Sequence, residues 1–198
     1  MNKIASIFIL IGLLLTTGCT SIMTAEQAAP TLNKPQVDEL QIAVVDHRPY
    51  VVNGDKLSGF EGLSRSGFGI PYTRNLVTGE TMPQHLGKRL AAGFIRAGIN
   101  AKLIPTTPQV NINNIKADAD TPAIIIVLNE WKYDHHAFTD NSWYDFDLII
   151  KDGSGTTLIN KNFTGEQDIP SMHTNDLQLL YKERFELAFA DAEIQALL

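Results

Sequence analysis

Apolar positions along this chain recur with two different periods, and stretches with neither period separate them. The stretch SWYDFDLIIKD, 142–152, alternates: Tyr144, Phe146, Leu148 and Ile150 fall on one side, and Trp143, Asp145, Asp147 and Ile149 on the other. That is the pattern of a half-buried strand. AIIIVLNEWKYDHH, 123–136, is apolar on both sides in its first half and alternates in its second, where Trp131, Tyr133 and His135 oppose Glu130, Lys132, Asp134 and His136. Such a strand belongs in the middle of a sheet that is covered at one end only. TTLINKNFTG follows the turn Asp152-Gly153-Ser154-Gly155, so the three segments predict an antiparallel meander. LQIAVVD, 40–46, and a short AKLIP, 101–105, add further strands.

The helical period appears twice. In TMPQHLGKRLAAGFIRAGI, Leu86, Leu90, Phe94 and Ala97 form a stripe, with Lys88, Arg89 and Arg96 towards the other side. Thr81 and Gln84 have the spacing of a capping box, Pro83 suits the first turn, and Gly98-Ile99 suits a Schellman stop. From Thr174 to Leu197 a second stripe runs through Leu177, Leu180, Tyr181, Phe185, Ala188, Phe189 and Ala192. Two amphipathic helices on one face of a mainly antiparallel sheet predict an α+β two-layer sandwich. Residues 37–198 form its single domain.

The N-terminus changes the picture. Lys3 precedes a wholly apolar run over most of residues 4–15, shorter than the ~20 residues a membrane span needs, and residues 1–18 read as a signal peptide. Cys19 is the only cysteine, and it follows Thr16-Thr17-Gly18 where the lipobox of bacterial lipoproteins places the acylated residue; here the aliphatic Leu15 lies one position further upstream than usual. Thr20, in place of aspartate, points to the outer membrane. Residues 19–36 read as a lipidated N-terminus and a polar tether with prolines at 30 and 35. Loss of Lys3 with the leader takes the formal charge from −6 to −7, which disfavours nucleic acid and anionic lipid as general partners, apart from any local basic patch; no nucleic acid is expected.

Between Tyr50 and Gly79 neither period persists, and a loop of this length is commonly functional. Its stretch GLSRSGFGIP has the glycine spacing of a phosphate loop at Gly62 and Gly67, but Phe68 and Gly69 stand where lysine and a hydroxyl residue are required. Gly67-Phe68-Gly69 with Tyr72 fails the dinucleotide pattern as well. No nucleotide or other cofactor is expected. The stretch reads instead as a contact surface, with Arg65, Phe68, Ile70 and Tyr72 as its candidates and an envelope protein as the expected partner. Trp131 and Trp143 are the stacking candidates for the alternative, an envelope glycan or peptidoglycan fragment, since Tyr144 shares its side with Phe146 and Leu148.

Two constellations suggest chemistry. His135 or His136 with Asp145 and Asp147 resembles a metal cluster, but adjacent strand residues face opposite ways, and no metal site is expected. Asp46 and His47 supply two members of a hydrolytic triad, and a periplasmic hydrolase is the third reading. Serines 58, 64 and 66 follow, but none lies in a G-x-S-x-G elbow, so the chain is not expected to be an enzyme.

A first strand ending in Asp46-His47-Arg48, a glycine-bearing loop, a helix ending in A-G-I, a meander with D-G-x-G and a C-terminal amphipathic helix together resemble the YajG-like small lipoproteins of Gram-negative bacteria. The resemblance covers about residues 40–195. It implies a lipid-anchored place at the periplasmic face of the outer membrane, no cofactor, and an accessory role in a cell-envelope assembly performed by contact.

Overall fold

The computed structural model describes residues 22–115, 118, 120–136, 139–169 and 174–198. Cys19 and the leader lie outside them. The elements, in chain order, are β1 (Glu39–Asp46), α1 (Pro49–Val52), β2 (Phe60–Arg65), β3 (Pro71–Asn75), α2 (Met82–Arg96), β4 (Asn100–Ile104), β5 (Ala123–His136), β6 (Thr139–Lys151), β7 (Thr157–Asp168), α3 (Thr174–Phe189) and α4 (Ala192–Gln195).

The fold is α+β, and β5 to β7 form the expected antiparallel meander. The sheet as a whole is not mainly antiparallel: β1 pairs in parallel with both β4 and β5, and β2 pairs in parallel with β5. The reason lies in β1, whose residues after Glu39 are all buried, as in strands reached by helical crossovers and covered on both faces. β1 lies along the first half of β5 and β2 along its second half, so the long strand organises both.

Both main helices cover one face. Leu86, Leu90 and Phe94 of α2 and Leu177, Tyr181 and Phe185 of α3 join Ile42, Val44, Ile126, Phe146 and Leu148 in the principal core. The α2 termini form as expected, with reciprocal Thr81 and Gln84 hydrogen bonds at the start. At its end the Ile99 amide donates to Phe94 O and the Gly98 amide to Ile95 O, with Gly98 at φ 91. The C-terminal helix breaks at Ala190, and Asp191 caps α4. On the opposite face the polar linker gives a second, smaller core. Val110, Ile112 and Ile115 cover Ala43, Val45, Ile125, Val127 and Ile149 there.

The polar stretch read as a tether is a docked strap from Met23 onward. Arg89 and Arg96 of α2 donate to the carbonyls of Met23 and Ala29 at 3.4 Å each, the Thr31 amide donates to Glu186 of α3 at 2.6 Å, and Ala28 and Ala29 are buried. Pro30 packs where Gly93 has no side chain. This covers Arg89, which the helical stripe alone had placed on an outward side.

Candidate functional site

The aperiodic loop is a hairpin. β2 and β3 pair antiparallel, with Ser64 opposite Tyr72 and Arg65 opposite Pro71, and β3 is exposed throughout as the sheet's edge. The glycines serve its turn: Gly69 has φ 80, and its amide donates to Ser66 O at 2.8 Å. The Ser66 hydroxyl accepts the amides of Phe68 and Ile70 at 3.3 and 3.2 Å, and the Ser66 amide donates to Ile70 O at 3.0 Å. On this fixed turn Phe68 is 96% exposed, Ile70 55% and Tyr72 52%. Three neighbouring apolar side chains are thus held in water.

Beside the tip lies a cleft of about 440 Å³ lined by Arg65, Gly69, Asp134, His136, Asn141 and Trp143. Arg65 grips Asp134 with two nitrogens, Nε at 2.8 Å and Nη2 at 2.5 Å, which ties β2 to β5 and raises the guanidinium pKa. Trp143 is half-buried, and the Lys132 ammonium sits 5.9 Å from its ring centre and 5.7 Å from that of Tyr50. The Tyr50 hydroxyl donates to Glu130 at 2.6 Å; burial first, and Glu130 in addition, push its pKa far above the ordinary tyrosine value. Arg65, Phe68, Ile70, Tyr72 and Trp143 therefore gather at one end of the sheet.

Trp131 does not join them. A bulge between Leu128 and Glu130 shifts the phase of β5, and Trp131 pairs with Tyr144 on the helix-covered face. It is fully buried against Tyr181 at 5.2 Å and Phe185 at 5.9 Å, with the Arg184 guanidinium 4.9 Å from its ring. Its stacking role in ligand binding is corrected accordingly.

The other two constellations come apart. Asp46 and Arg48 are both fully buried, and Arg48 Nε and Nη2 each bond the carboxylate at 2.7 Å. Nη1 donates to Phe60 O and Trp131 O at 2.7 and 2.9 Å, so this pair fastens the end of β1 to β2 and β5. His47 instead meets Val110 O at 3.2 Å, and the Ser64 hydroxyl accepts from Arg74 at 2.7 Å. His135 pairs with Asp140, while Asp145 and Asp147 face the other way and receive the Asn129 and Asn162 amides at 2.8–3.2 Å. Among the described residues no group of three His, Cys, Asp or Glu side chains could hold a metal.

Sequence reasoning missed a buried polar layer between sheet and helices. Glu61 accepts the Tyr181 hydroxyl at 3.1 Å, and burial raises its pKa to about 7. Arg184 donates to the Ser142 hydroxyl and Gln167 at 2.7 and 2.9 Å. Its neighbours in sequence carry no motif that could have announced this.

No family model and no curated protein matches the chain. Among solved structures it is similar to a Xanthomonas campestris protein of family DUF330, at 13% identity over 81% of this chain and 88% of that one, TM-score 0.47. An uncharacterized protein follows at 11%, 81% and 90%, TM-score 0.46. Lipoprotein GNA1162 from Neisseria meningitidis matches at 11% over 78% of this chain and 100% of that one, TM-score 0.44. At TM-scores below 0.5 these likenesses bear on neither fold nor function.

Proposed function

We propose that this protein is a noncatalytic, lipid-anchored accessory module of the cell envelope, held through Cys19 at the periplasmic face of the outer membrane and working by contact. The contact surface is the end of the sheet that carries the hairpin tip and the Trp143 cleft. One observation carries the reading: Phe68, 96% exposed, stands with Ile70 and Tyr72 on a turn fixed by its own hydrogen bonds. The docked strap supports it, because a body joined closely to its anchor works beside the membrane. Photo-crosslinkers at Phe68 and Trp143 in living cells should give adducts that a crosslinker at Ser154, at the other end of the sheet, does not. Equal labelling at all three positions, or substrate turnover abolished by His47→Ala, would refute it.

A second reading is favoured by Trp143 itself, an aromatic ring beside Arg65, Asp134 and Asn141 in an open cleft, the furniture of a glycan site. Titration with peptidoglycan fragments would then change tryptophan emission in the wild type and leave Trp143→Phe unchanged. A flat wild-type titration removes this reading.

A further inference from the structure

The exposed tip projects from the same end of the sheet as the start of α3, where the described part of the strap begins at Met23. Ser64 of β2 lies opposite His135, near the end of β5, so the turn at 66–70 continues past the last described residue of β5. α3 starts at that end too, since the Ile169 amide bonds Asp140 O at 2.8 Å shortly before Thr174. The strap reaches this helix start, where the Met23 amide donates to Asn175 Oδ1 at 3.0 Å.

Tyr181 meets Glu61 and so marks a common level on α3 and β2. From that level the helix rises ~9 Å back to Asn175 at its 1.5 Å per residue. The strand rises ~17 Å to Ser66 at ~3.3 Å per residue. The gap of ~8 Å is within reach of Cys19, because the four residue steps to Met23 can span up to ~13 Å. Anchor and tip can therefore meet one surface.

We propose that the tip is a second foothold on the bilayer that holds Cys19, with Phe68 and Ile70 entering the interfacial layer and Tyr72 at headgroup level. This rests on the reading of Cys19 as the lipidated residue. The acyl groups of Cys19 hold the chain at the bilayer but leave the body free to turn about them, and an additional contact fixes its orientation. Residues 62–79 carry no acidic residue; Arg65 is paired with Asp134 of β5, which leaves Arg74 on exposed β3 as the hairpin's cationic group, in a chain whose net charge is −6. Arg74 thus suits an anionic headgroup where the rest of the body does not. The turn also suits a medium poor in water, because the amides of Ser66, Phe68, Gly69 and Ile70 all have acceptors within it. The Trp143 cleft, directly beside the tip, is then held at the headgroup layer and opens to membrane-associated partners.

The test uses the chain from residue 19 with Cys19→Ser, which removes its only cysteine. Gly67→Cys, where a Cβ meets nothing within 4 Å, takes an environment-sensitive fluorophore, and Ser154→Cys provides the control. With vesicles of phosphatidylethanolamine and phosphatidylglycerol, the tip label should shift to the blue and brighten while the control stays unchanged. Phe68→Asp should weaken vesicle binding roughly tenfold or more, the change that ~1.4 kcal/mol produces. A silent tip label overturns the proposal. In cells, lipid adducts from a crosslinker at position 68 support it; protein adducts there overturn it while leaving the contact reading intact. An unacylated Cys19 would overturn the anchor reading and with it the second foothold, whereas a silent tip label with an acylated Cys19 overturns the foothold alone.

Discussion

Glu61→Gln should expose a pH dependence of stability that the wild type conceals. Burial raises the Glu61 carboxyl from 4.5 to about 7, with the Tyr181 hydrogen bond and the Arg89 charge opposing. Burial lowers His85 from 6.5 to about 4, aided by Arg89 and opposed by Glu80. The His85 ring fits the neutral form: Nδ1 meets Glu80 Oε2 at 3.1 Å, and Nε2 is buried without a partner. The two groups act with opposite sign. The native state binds more protons than the unfolded chain at Glu61, so that residue's contribution falls as pH rises from 4.5 to about 7. The unfolded chain binds more protons at His85, so its contribution falls as pH drops from 6.5 to about 4. At ~1.4 kcal/mol per pKa unit each effect is worth about 3 kcal/mol, and over the shared interval they cancel. Glutamine still accepts the Tyr181 hydroxyl but carries no titration. Urea unfolding of Glu61→Gln should therefore show stability climbing by about 3 kcal/mol between pH 4.5 and 6.5, the interval over which the wild type stays flat. Parallel curves for the two proteins would refute the reasoning.

Arg48→Met should cost about 3–5 kcal/mol in urea unfolding, because it strands a buried carboxylate, and adding Asp46→Asn should recover part of that loss. Phe68→Ala should change stability by less than ~0.5 kcal/mol, as surface positions do, whereas Trp131→Ala should cost about 3–5 kcal/mol; thermal melts compare the two. Gly93→Ala places a Cβ 2.8 Å from Pro30 O, so it should lift the strap and speed proteolytic cleavage between Thr24 and Asn33, as mapped by mass spectrometry.

What the sequence discloses here is what local chemistry determines. The α2 caps depend on residues within a few positions of each other, and the β5 to β7 meander on alternation with a D-G-x-G turn, so both are readable. The β2–β3 hairpin is hidden because every β3 residue is exposed, and no period-two burial can appear in it. Strand direction is hidden because a strand buried on both faces looks the same in either orientation. One bulge at Asn129 suffices to defeat the assignment of Trp131, since it changes the phase between the two halves of β5. The strap is polar and proline-bearing, as tethers are, and what docks it are distant partners: Arg89, Arg96, Glu186 and the missing side chain of Gly93. Of the candidate site, the tip residues were legible as apolar side chains among glycines; the Arg65–Asp134 grip and the cleft it borders depend on pairing across the sheet.

The proposed anchoring at Cys19 is what would place the contact surface beside the membrane, and the mass of the mature N-terminus tests it most directly. The protein recovered from the outer-membrane fraction should begin at Cys19 and carry its acyl groups, and Cys19→Ser should accumulate as unprocessed precursor. A chain found in the soluble fraction with an unmodified thiol at Cys19 would contradict the account.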